Sequence, residues 1–245
     1  MIEYTGHKIL VTGASSGIGQ NLAIALADRD NQVILCARDR EKLEQTLEQM
    51  KNPGQHKILP MDVTHWDEYQ NLFDEAVLDG RKLDGLVHCA GIANPTPIRM
   101  LNDKMISETL NTNYVSFLCL VRMFAKKKYA DSGSIVALSS INTHYVQKYM
   151  SVYAASKAAL EASVRTMALE LSEKKIRINT VVCGAVHTPM AERTPKEDLD
   201  KILSKQMLGM IEPENISEAI LFLLSESSAY MTGRELYVDG GRLGQ

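Results

Sequence analysis

A tyrosine and a lysine in the stretch Tyr153-Ala-Ala-Ser-Lys157 are the residues of this chain whose types and spacing best suit acid–base chemistry. On a helix, a separation of four positions puts both side chains on one face, with their Cβ atoms roughly 5–6 Å apart. A nearby ammonium favours the phenolate, so we expect the pKa of Tyr153 to fall from about 10 toward neutrality. The spacing alone is weak, because tyrosine and lysine meet in this way on many solvent-exposed helix faces.

A serine upstream strengthens that interpretation. The segment from Gly133 to Ser140 has the short, β-branched, apolar pattern of a buried strand that ends in two serines. If a polar loop from Ile141 to Val152 links this strand to the helix, Ser140 and Tyr153 can converge at the end of the strand. A hydroxyl that polarises a carbonyl oxygen and a phenol that protonates it would together support hydride addition to a ketone. Without Tyr153, a loop-start or capping role for Ser140 would be the better interpretation.

A glycine-rich turn near the N-terminus predicts an anion-binding site. The apolar strand Lys8 to Thr12 is followed by Gly13-Ala-Ser-Ser-Gly17-Ile-Gly19 and then by a helical pattern from Gln20 to Arg29. Backbone N–H groups and the positive end of the helix dipole at such a turn attract anions. The spacing is Gly-x-x-x-Gly-x-Gly, not the Gly-x-Gly-x-x-Gly of the usual dinucleotide fingerprint, so tight packing is the alternative explanation.

The length and composition predict one globular domain over residues 1–245. The chain has 245 residues, 45% of them hydrophobic, and a net charge of −3 with acids and bases interspersed, which offers no footprint for nucleic acid or an anionic membrane. No apolar run of transmembrane length and no signal-peptide pattern is present, so we expect a cytoplasmic protein. No metal-ligand spacing is present either, so we predict no metal site and four reduced thiols: Cys36, Cys89, Cys119 and Cys183.

Strand-like and helix-like segments alternate along the chain. This pattern predicts an α/β fold with a doubly wound parallel sheet and helices on both faces, which binds ligands beyond the carboxyl ends of its strands. The long, weakly patterned stretch from Pro189 to Glu214 is typical of a mobile substrate lid. Besides the elements already given, the predicted strands are 33–36, 57–60, 85–88, 177–182 and 235–238, and the predicted helices are 40–50, 66–77, 104–127, 153–173 and 217–224.

An arginine follows the second predicted strand, where dinucleotide-binding folds contact the adenosine ribose. An acidic residue there binds the ribose 2′-hydroxyl of NAD, whereas an arginine accommodates the 2′-phosphate of NADP. This chain has Cys36 and Ala37 at that place, followed directly by Arg38. We therefore favour NADP(H), and NAD(H) stays open because Asp39 adjoins the arginine. A solvent-exposed arginine without a cofactor role is the alternative.

The motifs taken together resemble those of the short-chain dehydrogenase/reductase family, from Lys8 through Gly241. The resemblance implies a Rossmann-type sheet of about seven parallel strands and NAD(P)-dependent chemistry on an alcohol or ketone. Within the family, 3-oxoacyl-[acyl-carrier-protein] reductases are most similar in length and layout. The motifs stand in this order: Thr12-Gly-x-x-x-Gly-Ile-Gly19, Asp62-Val63, Ala90-Gly91, Asn113, Ser140, Tyr153-x-x-x-Lys157, and Gly184 with Thr188.

The resemblance also implies residue roles. Ser140 would bind the substrate carbonyl, and Tyr153 would give the proton. Lys157 would bind the nicotinamide ribose and lower the tyrosine pKa, and Asn113 would position a relay water. The implied contacts with the cofactor pyrophosphate are Gly13, Ser15, Ser16, Gly17, Ile18 and Gly19. Those around the adenosine are Asp62, Val63, Ala90 and Gly91, to which Arg38 is added by its position after the second predicted strand. Those around the nicotinamide are Tyr153, Lys157, Gly184, Val186 and Thr188.

Two positions depart from the family pattern. The usual Asn-Asn-Ala-Gly is His88-Cys89-Ala90-Gly91 here, and the usual Pro-Gly after the sixth strand is Cys183-Gly184. Cys89 cannot make the hydrogen bonds of an amide, and Cys183 lacks the fixed φ of proline. We therefore expect looser structure beside the fourth strand and beneath the nicotinamide.

The predicted catalytic helix carries small residues on more than one face, which suggests burial against the sheet and against a neighbour. In the family that neighbour is another subunit, so we expect a homotetramer. The small residues are Ala154, Ala155, Ala158, Ala159, Ala162 and Ser163.

The leading hypothesis is an NADP(H)-dependent reductase of a small-molecule ketone, or the reverse oxidation of a secondary alcohol. The substrate could be bound to acyl-carrier protein, with a sugar, steroid or other small alcohol left open. Lysines 126–128, 174 and 175 could face an acidic carrier or simply end helices. A non-catalytic NADP(H)-sensing regulatory protein is the competing class, although such proteins usually lose the tyrosine or the lysine.

Overall fold

Seven parallel strands form one sheet in the computed structural model, which describes residues 2–244. Their spatial order is β3-β2-β1-β4-β5-β6-β7, so the order reverses between β1 and β4. The crevice at the carboxyl ends of these two strands is a topological switch point, where ligands of such sheets bind. In chain order the strands are β1 (Lys8–Thr12), β2 (Gln32–Ala37), β3 (Lys57–Pro60), β4 (Gly85–His88), β5 (Gly133–Ser140), β6 (Ile176–Cys183) and β7 (Glu235–Val238).

Helices cover both faces of the sheet, which confirms the predicted doubly wound Rossmann-type architecture. Within residues 2–244 no helix is both long and apolar enough to cross a membrane. The helices of this part of the chain are α1 (Gly17–Asp28), α2 (Arg40–Glu48), α3 (Tyr69–Ala76), α4 (Asp103–Leu110), α5 (Ser116–Phe124), α6 (Ser151–Ser172), α7 (Pro189–Glu192), α8 (Lys196–Leu203) and α9 (Pro213–Leu224).

The apolar core lies in two layers, one on each face of the sheet. Alternate residues of β1 show the pattern, because Ile9 and Val11 join the layer with α1, α2 and α9, whereas Leu10 joins the layer with α3, α5 and α6. All five residues of β1 are buried. A parallel strand buried on both faces needs a continuous apolar run, which is why these strands could be recognised in the sequence.

The predicted long helix 104–127 is interrupted in the structure. A π-turn, Asn111–Val115, joins α4 to α5. Such turns are rare and occur frequently at functional sites. This one buries the side chain of Asn113 at the inner end of the helix pair.

The predicted lid between Pro189 and Glu214 is more regular than expected. It contains α7 and α8, and α9 begins at Pro213, earlier than predicted. The buried side chain of Gln206 anchors the segment, because its Oε1 accepts from Ala185 N at 2.8 Å and its Nε2 donates to Ala185 O at 3.1 Å. A glutamine thus ties the end of this segment to the chain just beyond β6.

Candidate active site

The end of β5 and the start of α6 bring three predicted catalytic residues together. Ser140 is the last residue of β5, and Tyr153 and Lys157 lie in the first two turns of α6. The Ser140 hydroxyl interacts with the Tyr153 phenol. The Lys157 ammonium lies 5.9 Å from the centroid of the Tyr153 ring. A hydroxyl, a phenol and an ammonium therefore converge at the carboxyl edge of the sheet.

Lys157 is a buried lysine held by the sheet. Its side chain is nearly inaccessible, and Nζ donates a hydrogen bond to the carbonyl oxygen of Leu138 at 2.8 Å. Burial lowers the pKa of Lys157 to about 8, because an apolar environment disfavours the charged form. The ammonium is therefore fixed at one height along β5, next to the tyrosine ring.

The expected fall in the Tyr153 pKa is contradicted by the structure. Burial raises the pKa of Tyr153 to about 12, and the hydroxyl of Ser140 lowers it by a smaller amount. The physical reason is that desolvation disfavours the phenolate, while Lys157 donates to a backbone carbonyl and not to the phenol oxygen. The phenol is accordingly protonated at neutral pH, which is the form that can give a proton to an alkoxide.

Asn113 braces the loop after β4 against α6. Its Oδ1 accepts from Ile92 N at 2.8 Å, and its Nδ2 donates to Ile92 O at 2.9 Å and to Ser156 Oγ at 3.0 Å. Ser156 in turn donates to the carbonyl oxygen of Tyr153 at 2.7 Å. A short chain of hydrogen bonds thus fixes the turn that carries the phenol. Both amide hydrogens of Asn113 are used in it, and its action on a relay water stays a prediction.

The glycine turn fits closely between the ends of three strands. A Cβ at Gly19 would overlap the carbonyl oxygen of Gly13, and one at Gly13 would lie 2.8 Å from Ala90 N. Gly17 has a φ of +55°, and a Cβ there would lie 3.2 Å from Thr188 Cγ2. Only glycine allows this approach of the turn to the chain after β4 and β6. The three predicted phosphate-binding glycines therefore have a structural requirement of their own.

The first turn of α1 can receive an anion. Ser16 is the N-cap residue, yet its side chain makes no capping hydrogen bond. The N–H groups at a helix start that lack a cap need an outside partner, and the helix dipole favours a negative one. Ser15 and Ile18 lie on the same turn. A cofactor pyrophosphate meets these requirements, so this turn fits a dinucleotide.

At the end of β2 and β3 the structure pairs two of the predicted adenosine contacts. Arg38 Nη1 lies 3.7 Å from Asp62 Oδ2, and the arginine side chain is 74% exposed. The Oδ1 of Asp62 accepts hydrogen bonds from the backbone and hydroxyl of Thr64. Burial opposes ionisation of Asp62, but these hydrogen bonds and the arginine charge prevail and lower its pKa. Asp62 is thus charged, and the neighbouring Val63 is buried.

Ala90 and Gly91 lie between the end of β4 and Lys157. The N–H of Ala90 donates to the hydroxyl of Thr12 at 3.3 Å. A Cβ at Gly91 would lie 3.3 Å from Asn113 Oδ1 and 3.6 Å from Lys157 Nζ. The missing side chain at residue 91 therefore leaves room for the lysine ammonium.

The remaining predicted contacts lie just after β6. A Cβ at Gly184 would come within 2.5 Å of Gln206 Oε1, so the glutamine anchor needs a glycine there. Val186 forms an isolated parallel bridge with Ile211. The Thr188 hydroxyl caps α7, and its carbon end faces Gly17. Of these residues, Thr188 is the one that approaches the glycine turn.

A buried histidine supports the loop that we expected to be loose. The ring of His88 bonds Thr12 Oγ1 through Nδ1 at 3.0 Å and approaches Ser116 Oγ through Nε2 at 3.5 Å. Burial lowers its pKa to about 3, so the imidazole is neutral. His88 therefore links β1, β4 and α5 directly before Cys89, and the looser structure expected after it stays a prediction.

Of the two cysteines beside the candidate active site, Cys183 is buried and Cys89 is partly buried. Burial raises the pKa of Cys89 and raises that of Cys183 to about 12, so neither is a thiolate at neutral pH. The backbone after Cys183 is held because Gly184 N donates to Val238 O at 2.9 Å. No local pattern indicated the supporting residues Ser156 and Gln206, because their roles depend on neighbours distant in the chain.

Known proteins are similar to this chain in both sequence and fold. The family model described as Enoyl-(Acyl carrier protein) reductase matches residues 13–242. The chain is 31% identical over 239 residues to a 3-oxoacyl-[acyl-carrier-protein] reductase of Thermotoga maritima, with 96% of this chain and 97% of that protein covered. The region matched by the family model begins directly after β1 and includes the glycine turn, β5 and α6.

Two solved structures show the same fold with different nicotinamide cofactors. A variant of actinorhodin polyketide ketoreductase with NADPH has a TM-score of 0.90 at 27% identity, with 97% of each chain covered. A 7α-hydroxysteroid dehydrogenase with NADH and 7-oxo glycochenodeoxycholic acid has a TM-score of 0.92 at 29% identity, with 98% of this chain and 95% of the other covered.

Proposed function

This chain belongs to the short-chain dehydrogenase/reductase family and is an oxidoreductase, and from that premise we propose that it reduces a ketone to a secondary alcohol with NADP(H), or catalyses the reverse reaction. The observation that carries the proposal is the convergence of Ser140, Tyr153 and Lys157 at the edge of the sheet that also bears the uncapped glycine turn.

The proposed mechanism assigns one task to each side chain. The reduced nicotinamide, when bound, supplies the hydride. The Ser140 hydroxyl donates a hydrogen bond to the substrate carbonyl oxygen and so polarises it. The protonated phenol of Tyr153 gives its proton to the oxygen as negative charge develops there. The buried ammonium of Lys157 then offsets the charge of the phenolate that is left, in surroundings where such an interaction is weakly screened.

NADP(H) is the cofactor that we propose, on the strength of Arg38. Its guanidinium is mostly exposed and is paired with Asp62 only at 3.7 Å, so it can turn toward a 2′-phosphate without breaking a short ion pair. An arginine fork suits a phosphate group. The charged Asp62 is half-buried and held by Thr64, which leaves the arginine as the mobile partner.

For the substrate we propose a 3-oxoacyl compound, by similarity to the Thermotoga maritima relative. The segment with α7 and α8 borders an open pocket of about 390 Å³. Its larger apolar side chains are those of Leu199, Leu203 and Met210, and its polar ones those of His187, Glu192 and Glu212. This lining is compatible with an acyl chain. Of the lysines that could meet a carrier protein, Lys128 is paired with Asp74 at 2.5 Å, which favours the simpler role at a helix end.

We also propose that the whole chain acts as one catalytic domain and assembles as a homotetramer in the cytoplasm. The outer face of α6 is open in the single chain, and Ala159, Ala162 and Ser163 line a groove of about 470 Å³ against α5. Small residues on an exposed helix face suit close packing of another subunit. All four cysteines are free thiols, as a reducing compartment requires.

The decisive experiment follows NADPH oxidation with a panel of ketones. The panel contains 3-oxoacyl thioesters, simple diketones, a keto sugar and a steroid ketone, and the reverse reaction is followed with the matching alcohols. We expect turnover with the 3-oxoacyl compounds. Turnover only with another class of ketone would show that the proposed 3-oxoacyl substrate is wrong. Tight NADPH binding without turnover of any compound would favour the cofactor-sensing alternative.

A further inference from the structure

Four side chains capable of binding a metal ion meet beyond the active site. His144 lies in the loop that follows β5, and Glu161 lies on α6 one turn beyond the catalytic lysine. Glu235 and Tyr237 lie on β7. The sheet and α6 thus gather residues that are far apart in the sequence, which is why no spacing motif indicated them.

The separations of their polar atoms suit a small ion. His144 Nε2 lies 3.8 Å from Glu161 Oε2 and 3.6 Å from Glu235 Oε2. Ligand atoms from these three residues all lie within 4.8 Å of one another. A tetrahedral zinc ion with bonds of about 2.0–2.2 Å holds its ligand atoms about 3.3–3.6 Å apart. The two distances from His144 are within a few tenths of an ångström of that range, and the two carboxylate oxygens would have to approach each other by up to about 1.5 Å.

Each carboxylate has one oxygen anchored and the other turned to the imidazole. Glu161 is buried, and its Oε1 accepts hydrogen bonds from the hydroxyls of Ser139 and Thr143. Glu235 is paired through Oε1 with Arg165 at 2.5 Å. The two Oε2 atoms are those that approach His144. The carboxylates are therefore oriented by supporting contacts of the kind that position metal ligands.

The charge of the cluster also favours a cation. Glu161 and Glu235 bring two carboxylates to one imidazole. Arg165 balances one of the two negative charges. A divalent ion would balance the other and relieve the repulsion between the carboxylates. The imidazole side chain is 43% exposed, which leaves an entry path from solvent.

We propose that His144 Nε2, Glu161 Oε2 and Glu235 Oε2 bind a divalent zinc ion. A mixed set of one imidazole nitrogen and two carboxylate oxygens suits zinc, whereas magnesium prefers octahedral oxygen sites and keeps several waters. The Tyr237 hydroxyl lies 2.9 Å from the imidazole nitrogen and donates to Glu235 Oε2 at 2.7 Å. It lies where it can take the fourth position or bond to a water there.

A bound ion would brace the loop that follows the catalytic serine. It would connect that loop, α6 and the edge strand β7 by bonds that none of them makes alone. Binding to the folded chain alone raises the free energy of unfolding by mass action. The site therefore acts as a stabilising clasp beside the active site, and it needs neither cofactor nor substrate to form.

The test measures zinc binding by the full chain after treatment with a chelator. Titration calorimetry should give one Zn²⁺ per chain, and zinc should raise the melting temperature. His144→Ala and Glu235→Gln should each weaken binding by about tenfold or more, since loss of even a supporting residue costs about 10–100-fold. An excess of Mg²⁺ should leave zinc binding unchanged. Circular dichroism and urea unfolding establish that each variant is folded.

The matched control is His65→Ala, which removes a histidine from an exposed pair with Glu68, 3.5 Å apart. This variant should bind zinc as the unaltered chain does. Equal zinc binding by the unaltered chain and folded His144→Ala would overturn the proposal, as would the absence of any saturable site. Because the partly exposed His144 side chain can be truncated without emptying the core, that variant decides even if Glu235→Gln does not fold.

Discussion

The hydroxyl of Tyr153 is the group to remove in order to separate proton transfer from cofactor binding. Tyr153→Phe should bind NADPH normally and lose about 10²–10⁴ in turnover, the usual contribution of a positioned general acid. Fluorescence titration and steady-state rates measure the two effects. Tyr230→Phe removes the same hydroxyl from a fully exposed ring and should change neither. Turnover that survives in Tyr153→Phe would remove the phenol from the mechanism.

The buried ammonium of Lys157 should give the protein a distinctive stability profile. Its pKa is about 8 in the folded chain and 10.5 for an ordinary lysine, so the unfolded chain binds more protons between these two pH values. Burying the charged lysine costs the folded chain about 3 kcal/mol of stability. This cost is fully present below about pH 8 and disappears as the pH rises toward 10.5.

Lys157→Met should therefore lose activity. Its free energy of unfolding, relative to that of the unaltered chain, should be greatest near neutral pH. Urea unfolding at about pH 7 and about pH 10 measures the free energy of unfolding of both proteins. From the lower to the higher pH, the unaltered chain should gain about 2 kcal/mol of stability relative to the variant. Comparing the two proteins at each pH cancels the titration of all other groups. A difference independent of pH would mean that the lysine is not desolvated.

Arg38 is the side chain that should decide between the two nicotinamide cofactors. Arg38→Ala should weaken NADPH binding by about tenfold or more, the value of a charge-assisted phosphate contact, and leave NADH binding nearly unchanged. Paired fluorescence titrations measure both. Arg40→Ala, which removes an exposed arginine paired with Glu44 on α2, is the control. An unaltered chain without preference for NADPH would refute the assignment.

At the scale of elements, the packing of α1 against the glycine turn depends on the absence of one methyl group. Gly19→Ala would force a carbon onto the carbonyl oxygen of Gly13, so α1 must shift. We expect the free energy of unfolding to fall by about 1–3 kcal/mol, as for other overpacked sites, and NADPH binding to weaken. Urea unfolding and cofactor titration measure these effects.

Gly54→Ala is the control, because a Cβ there meets no atom within 4 Å. Its unfolding free energy and cofactor affinity should match those of the unaltered chain. If Gly19→Ala behaves in the same way, the close approach of α1 to the turn is not what requires glycine at residue 19.

The strands and the convergence of Ser140, Tyr153 and Lys157 were predictable because they depend on local patterns and on the common edge where parallel strands end. The π-turn at Asn113 was not, since five residues of π-helix have no distinct apolar period. The pKa of Tyr153 was predicted with the wrong sign, because helix spacing indicates nearness and not burial. The anchor at Gln206 depends on a contact across the fold that no local pattern records.

At the scale of the whole molecule, the open face of α6 should be a subunit contact. Light scattering of the unaltered chain should give about four times the mass of one chain. Ala162→Arg places a large cation in the groove beside α5 and should reduce the assembly, because a desolvated unpaired charge is costly. Gln45→Arg on the exposed face of α2 is the control and should keep the full mass. A monomeric unaltered chain would refute the tetramer.

The position of β1 between β2 and β4 affects the order in which parts of the sheet can form during synthesis on the ribosome. The glycine turn and the first three strands are complete by residue 60, whereas the proposed catalytic residues Ser140, Tyr153 and Lys157 emerge only after residue 133. Nascent chains can therefore pair one half of the sheet early, with one edge of β1 waiting for β4. The ribosome thus synthesises the half with the glycine turn first, and a chain truncated before residue 140 would lack all three proposed catalytic side chains.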